Sequence, residues 1–587
     1  MRDYNKLFIF LITPFFSYST GLFATQEIKD SDTLSIQQVT IIKSYNPSLS
    51  DVFKLRDAPI ISDSLITKKK RLEYSIFSVP VVSTFKPSKG EPEILKPIKS
   101  IPEFNSFLSA GFGNFNNLLI DYTSGIKIDR SQSIEWIISI DGIFKDIPNQ
   151  EIESDTNSSI FNVSHTFLNN SMSLVSQINY HQNKINFYGV RSNALDPLIL
   201  KSIDPVQRIN YLSLGSRWKW FNSFFKKLNL ETFLTSDSYE SNEFEFKLNS
   251  KFQFSFLGLI VSGITDLNYF SNEFISEYYS ETPLTTSTGK ATFGLNFSYI
   301  RSKIKLVLGG KGVYGLSDGF NEEDIFVFPY LDVIYNSSDK LFVPFIKIEG
   351  DLKLNNFRTL THYNPYVAPS IKLVPSNIPY EFRFGTKSSI SKDWELTMNG
   401  FYQKNKNFPL YRNFGFDFSN YKFISYRYGN SFEVIYDEIN TIGFETSVNA
   451  KFKNNGYIGI KASYMNYNTK ELNKAWNLPK VKLEFNGNLN FKRSYNVQWN
   501  LKYLGKRYNA FRDEFLLQDL FKASVLEEKI NSFFYSDLKI TFKVNERWNI
   551  FIKGENFINK NNFEWSNYQL HGPLFLSGLL YNFDFNY

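Results

Sequence analysis

The sequence predicts an all-β fold, a large antiparallel transmembrane β-barrel, and three features of its 587 residues point there. The first is alternation. Phe244, Phe246, Leu248, Ser250, Phe252, Phe254 and Phe256 interleave with Glu245, Lys247, Asn249, Lys251, Gln253 and Ser255. A helix smears two such sets around its circumference, whereas a strand sends them to opposite faces. The second is aromatic content: 60 Phe, 35 Tyr and 8 Trp make 18% of the chain, an enrichment that suits strands and membrane interfaces. The third is that the links between strand-length stretches come in two sizes, the contrast a barrel makes between its two rims.

In chain order, Arg2 and Lys6 precede an apolar run from Leu7 to Phe16, and a polar step ends near Leu22, Phe23 and Ala24. That is the pattern of a secretory signal peptide over 1–24, cleaved after Ala24. Residues 25–104 hold no steady period and are spaced by Pro80, Pro87, Pro92, Pro97 and Pro102. Proline cannot donate to a sheet ladder and keeps its neighbour extended, so this part reads as an extended periplasmic or lumen-entering segment.

Residues 105–587 form the expected barrel. Val481, Leu483, Phe485, Gly487, Leu489 and Phe491 repeat the two-residue period, as do Leu538, Ile540, Phe542 and Val544, then Trp548, Ile550, Ile552 and Gly554. Most stretches are about ten residues long, enough for a tilted crossing. Tight links include Ser391-Lys392-Asp393, Asn454-Asn455-Gly456 and Asn545-Glu546-Arg547. Long ones cover about 189–206, 270–286, 353–380, 405–423, 508–530 and 557–572. The alternation gives about 20 to 23 strands. Both ends on one side require an even number, so 22 is favoured, with 14–20 left open if outer loops contain hairpins. Between about Asn405 and Pro479 the alternation breaks, as if a strand were missing or a short turn lay outside.

Composition removes several function classes. Cysteine is absent, which excludes disulfides, thiolate metal sites, a cysteine nucleophile and a lipid-attachment cysteine. The net charge of +7 is small for this length and its Lys and Arg are scattered, so nucleic acid is not an expected partner. Mean hydropathy of -0.28 is ordinary for a barrel with a wet lumen and polar loops. No stretch after the signal reaches 18 continuous apolar residues, so membrane-spanning helices are not expected.

Candidate sites are few. His165, His181, His362 and His571 have no metal-ligand spacing, and structural roles are expected for them. Asp141, Glu245, Glu484 and Asp584 recur on polar strand faces, where water and counter-charges in a lumen would solvate them. Gly309-Gly310 lacks the strand-to-helix context of a phosphate loop, and strand bending or close backbone approach is a sufficient reading. Trp136, Trp218, Trp220, Trp394 and Trp548 are candidate interfacial anchors, about half of them expected at headgroup level and the rest open to packing in the lumen. No catalytic residue, cofactor or metal is expected.

The C-terminal strand alternates Leu579, Tyr581, Phe583, Phe585 and Tyr587 with Leu580, Asn582, Asp584 and Asn586. Its aromatic end resembles the insertion signal that outer-membrane barrels present to their assembly machinery. The run Trp548-Asn549-Ile550-Phe551-Ile552-Lys553-Gly554-Glu555-Asn556-Phe557-Ile558-Asn559-Lys560 resembles the penultimate strand of TonB-dependent receptor barrels, and Trp565, Tyr568, Gly572, Gly578 and Phe583 extend the likeness. Ala475-Trp476-Asn477-Leu478-Pro479, Gly505-Lys506-Arg507-Tyr508-Asn509-Ala510 and the stretch from Phe432 to Glu438 are similar to segments of such barrels from the Bacteroidota. The resemblance covers most of 105–587 and implies the cell outer membrane, with lipid, lipopolysaccharide and the barrel insertion machinery as partners.

The family places a globular plug of well over a hundred residues before its barrel. Here about 80 residues separate Ala24 from Asn105, so no recognisable plug is expected. Asp32-Thr33-Leu34-Ser35-Ile36 reads as ordinary extended chain and not as a TonB-binding box. Two functions follow as expectations. One is a transport barrel passing small polar solutes, gated by its N-terminal arm or a partner. The other is a non-enzymatic accessory or scaffold barrel in a multi-protein complex for uptake, secretion or outer-membrane protein assembly, with periplasmic or surface proteins bound.

Overall fold

The computed structural model describes residues 104–585 apart from 149, 191–196, 317–324, 338–339, 417–423, 453–454, 493, 514–523 and 559–562. The expected signal peptide, the 25–104 segment up to residue 103, and Tyr587 lie outside the described residues.

Twenty-two antiparallel strands follow one another around a closed wall. The ring closes where the first strand, Ser106–Gly113, pairs with the last, Leu574–Phe583, from Ser106 opposite Phe583 to Gly113 opposite Leu576. Closure is what lipid demands, because a free strand edge in hydrocarbon leaves its N–H and C=O groups without partners. The hairpin of Arg507–Asp513 and Ser524–Ile530 branches off this wall. Tyr495–Leu504 pairs directly with Phe533–Lys543, and the hairpin meets the sheet at the parallel pairing of Asn413 with Phe511.

The two-residue period sorts side chains as expected. Phe244 and Phe254 are exposed on the outer face, while Glu245 and Lys247 point the other way. Leu214, Phe293, Phe384, Phe444, Ile460, Leu483, Ile552 and Leu579 carry the bare apolar face around the ring. A soluble protein does not leave an apolar band of that extent uncovered. It is a lipid-facing belt, and the chain is an outer-membrane barrel.

Two features differ from the sequence reading. Strands run past the ten residues that a tilted crossing needs: Trp394–Asn413 has 20 residues and Phe432–Phe452 has 21. The surplus lifts the wall beyond the belt at the long-loop rim. The break in alternation near Asn405 also has a local cause. Asn405 lies opposite Ile439 and Phe408 opposite Asp437, so one strand advances three residues while its partner advances two. Asn407 takes up the extra residue at φ 57°, in the left-handed region that asparagine tolerates. One inserted residue swaps inside for outside in everything beyond it. Among the described residues no strand is missing there.

Short turns such as 169–171, 257–258, 302–303 and 392–393 gather at the rim that also holds both barrel ends. The opposite rim carries the long links 144–155, 187–205, 354–375, 414–431, 505–532 and 556–573. At Gly309 a Cβ would run into the Leu295 carbonyl of the adjacent strand, so close backbone approach accounts for that glycine.

Candidate functional site

The inner wall carries a girdle of paired charges. Lys247 meets Glu245 at 3.1 Å, Lys290 meets Asp266 at 3.7 Å, and Lys311 meets Asp351 at 2.5 Å. Lys347 pairs with Glu349 at 2.9 Å, and Arg383 bridges Glu381 and Glu445 at 2.9 and 2.8 Å. Across the closure, Lys553 reaches Glu555 and Asp141. Glu484 lies opposite Lys461 on one neighbouring strand and Lys502 on the other. Inward charge survives because each group has a counter-charge or water within reach. Asp141, Glu245 and Glu484 thus sit on the lumen wall. Asp584 lies one residue past the last strand and is exposed.

Several of the long loops meet over their described residues. They fold over the mouth and share one apolar core, with Phe187 and Tyr188 from one loop, Tyr278 from a second, Phe357 and Leu360 from a third, Tyr426 from a fourth, and Trp565 and Tyr568 from a fifth. A 22-stranded ring is too wide for wall side chains to fill, so something must occupy its lumen or leave it open. At this rim the filling comes from the loops.

The deepest anchor is the short helix Phe357–Tyr363, which begins at a capping box on Asn356. Glu243 on the wall accepts the backbone N–H groups of Phe357 at 2.6 Å and Arg358 at 3.0 Å. The Arg358 guanidinium then pairs with Glu245 at 2.6 Å and lies 4.0 Å from the centre of the Phe233 ring. Tyr211 and Thr361 hydroxyls meet at 3.2 Å one strand away. These partners belong to the inward rows of neighbouring strands, which places the helix inside the mouth.

Other loops meet above it. Asn430 donates to the Phe187 carbonyl at 2.6 Å, although their loops are rooted ten strands apart on the ring. A contact between nearly opposite points of the rim means that the loops bridge the opening. Tyr366 stacks on Tyr568 at 3.5 Å between ring centres, and the Tyr568 hydroxyl donates to the Asn430 carbonyl. Arg427, 1% exposed, donates to Ser276 Oγ and the Glu277 carbonyl, both at 2.7 Å. Burial pushes the hydroxyls of Tyr188, Tyr366 and Tyr568 above the ordinary phenol range. They are therefore neutral donors at any physiological pH.

Of the four histidines, His181 and His362 lie within electrostatic reach of each other, and His165 and His571 lie elsewhere. His181 lies on the inner wall against Tyr211 and Ser158, and His165 near Gln132 at the short-turn rim. His362 is in the lid helix, and His571 in the lid donates from Nε2 to the Lys145 carbonyl at 3.0 Å. Burial holds the His571 imidazole below its usual value. Among the described residues no group of three or more His, Cys, Asp or Glu is placed to hold a metal ion.

Trp136, Trp218, Trp220, Trp394 and Trp548 all lie on the outward rows, close to the short-turn rim. Trp220 ends its strand, and Trp394 and Trp548 begin theirs. Trp394 and Trp548 are each 42% exposed. On the last strand, Leu579, Tyr581 and Phe583 occupy the outward row, with Tyr581 against Trp548 and Phe585 edge-on to Trp136. Sequence reasoning missed the lid residues Arg358, Asn430 and Arg427, and named Tyr568 only for its place in a family likeness. The available signal was aromatic residues concentrated in links that polar loops would not need.

Among solved structures, the barrel is similar to the pyoverdine outer membrane receptor FpvA from Pseudomonas aeruginosa, with TM-score 0.57 and 11% identity over 82% of this chain and 79% of that one. It is also similar to the FrpB iron transporter from Neisseria meningitidis, F3-3 variant, with TM-score 0.57 and 10% identity over 82% of each chain. The siderophore receptor PirA from Acinetobacter baumannii gives TM-score 0.57 and 11% identity over 81% of this chain and 80% of that one. At such identities the likeness is one of fold. No family profile and no curated protein matches the chain.

Proposed function

We propose that the chain is a non-enzymatic transport barrel that gives small polar solutes a passage through the outer membrane, closed at its outer mouth by a lid of its own loops. The observation that carries this reading is the docking of Arg358 on Glu245 and Phe233, which holds a loop helix inside a wet, charge-lined lumen. Glu245 is buried but keeps Lys247 at 3.1 Å, so the helix can lift away without leaving that carboxylate wholly without a counter-charge. The similar folds include proteins described as an iron transporter and a siderophore receptor, which supports transport as the use of this wall. In this reading residues 1–24 are a signal peptide and the segment at 25–104 works from the periplasm. The row from Leu579 to Tyr587 serves the insertion machinery, and the five tryptophans anchor the short-turn rim.

Planar-bilayer recording of the reconstituted chain tests it. Wild type is expected to conduct weakly or in brief openings, and Arg358→Ala to conduct more. Absence of ion flux in both, from protein that migrates as a folded barrel, would defeat the passage.

A further inference from the structure

We infer that a cavity between the lid and the wall binds a small organic ammonium ion, which ties three lid loops to the barrel. The site needs a closed lid and does not depend on whether the lumen conducts.

The cavity lies where the first hairpin turns, at Asn114–Asn116. There the loop 556–573 folds back onto the wall, with Asn114 Nδ2 donating to the Pro573 carbonyl at 2.8 Å and His571 edge-on to Phe115. Its volume is 130 Å³. A dry cavity of about 150 Å³ holds a benzene molecule, so a compact body of about seven carbons has room here. The lining comes from both sides of the lid contact. Ile143, Ile185 and Glu555 end wall strands, while Tyr188, Tyr366 and His571 belong to three separate loops. Leu570 and Leu574 complete the apolar walls, and the rings of Tyr188 and Tyr366 stand 6.2 Å apart.

The polar groups of the lining are sorted by kind. Asn186 Nδ2 donates to the Asp155 carbonyl at 3.0 Å and to its carboxylate at 2.8 Å, which fixes the way that amide faces. Thr156 donates to the Lys184 carbonyl at 3.0 Å, Tyr188 to the Gln569 carbonyl at 2.8 Å, and His571 Nε2 to the Lys145 carbonyl at 3.0 Å. Those donors are spent inside the protein.

Acceptors are left over. Asn186 Oδ1 and Asn556 Oδ1 are buried and accept no hydrogen bond. Neutral His571, with its proton on Nε2, offers Nδ1 as an acceptor. The Glu555 carboxylate has about four lone-pair sites, and its pair with Lys553 takes only part of them. A buried acceptor without a donor is a cost, and a ligand that brings N–H groups removes it. An ammonium group brings three donors and no acceptor, whereas a carboxylate brings only lone pairs. The tyrosine faces favour a cation as well. Loose charge plays no part in the choice, since Lys184 answers Asp155 at 2.6 Å. A ligand that touches the wall and three loops at once binds the closed lid and not the open one, so it holds the lid shut by mass action.

Benzylamine is the probe, titrated calorimetrically into the folded full chain in detergent, in mildly alkaline buffer where His571 is neutral. Wild type is expected to bind benzylamine, to bind benzyl alcohol more weakly, and not to bind benzoate. Leu570→Trp fills the cavity and should abolish binding, which also supplies the background for uptake by micelles. Glu555→Gln should weaken binding about tenfold, the worth of one hydrogen bond to a charged group. Lys553 keeps Asp141 at 3.9 Å in that variant. Heat-modifiable gel mobility checks that each variant is a folded barrel. Saturating benzylamine should slow hydrogen exchange at Phe187–Val190 and Gln569–Gly572 in wild type. No benzylamine binding to wild type, equal affinity for benzoate, or undiminished affinity in Leu570→Trp overturns the site. Binding that leaves exchange in those two loops unchanged overturns it too. If Leu570→Trp does not fold, the comparison with benzoate and the exchange in wild type still decide.

Discussion

The two mouths of the barrel solve opposite problems with the same strands. At the long-loop rim the loops bury aromatic side chains against one another and tie down Arg427, Asn430 and the Phe357–Tyr363 helix in a dry core. At the short-turn rim the links run from two to seven residues. The wall there keeps exposed cations on its inner row and tryptophans on its outer one. Filling is thus a property of loop length and composition, and the wall alone leaves the lumen wet.

The largest expected effect is at the lid. Tyr568 is buried between Tyr188, Tyr366 and Phe432, and its removal leaves a cavity where four loops meet. Tyr568→Ala should cost about 3–5 kcal/mol of lid stability. Hydrogen exchange should rise across 354–375 and 424–431 and stay low in the strands. Equal loss of protection in Gly456–Thr469 would mean that lid and wall unfold together, and the contrast between the mouths would fail.

Arg358→Ala comes next. Stranding a buried carboxylate costs about 3–5 kcal/mol. Glu245 keeps Lys247 at 3.1 Å, so the lower end of that range is expected. The double variant with Glu245→Gln should recover part of the loss, since no charge is then left uncompensated. Protease accessibility of the helix Phe357–Tyr363 is the readout, and no recovery would place the main anchor elsewhere.

Much of the wall was legible in the sequence, because a strict period of two assigns inside and outside without knowledge of any contact. Trp394, Leu483 and Leu579 could be placed from their neighbours alone. The bulge at Asn407 could not, since an extra residue looks the same as a missing strand until its partner is known. The lid was illegible for a related reason. Asn430 and Phe187 lie 243 residues apart, and nothing local to either implies the other.

His571 gives a smaller, pH-dependent effect confined to the lid. Burial favours its neutral form, with the Lys145 carbonyl, Asp146 and Asp155 opposing. Above its ordinary value of 6.5 both open and closed lids hold it neutral, and the closed lid has its full stability. As pH falls below 6.5 the open lid takes the proton first, so closure weakens. Glu564, raised by burial against the pull of Arg507 and Lys502, acts in the other direction, since acid favours its protonated, closed form. Subtracting the profile of His571→Gln isolates the histidine. Channel opening should increase between pH 7.5 and 5.5 in wild type relative to that variant, and identical profiles would remove His571 from the lid's balance.

The smallest effect is expected at the opposite rim, on the outer face. Trp394 opens its strand directly after a two-residue turn, whereas Phe293 lies in the middle of Leu284–Arg301, and both are exposed. A charged side chain costs about 2–4 kcal/mol at the bilayer midplane and about 0–1 near the interface, where its head finds water. Phe293→Lys should therefore lower barrel stability in lipid bilayers several times more than Trp394→Lys, measured by urea unfolding of the reconstituted protein. Neither should alter exchange in the lid, because neither touches it. Equal costs at the two positions would show that Trp394 sits as deep as Phe293, and the tryptophans would then be belt residues that happen to lie near turns.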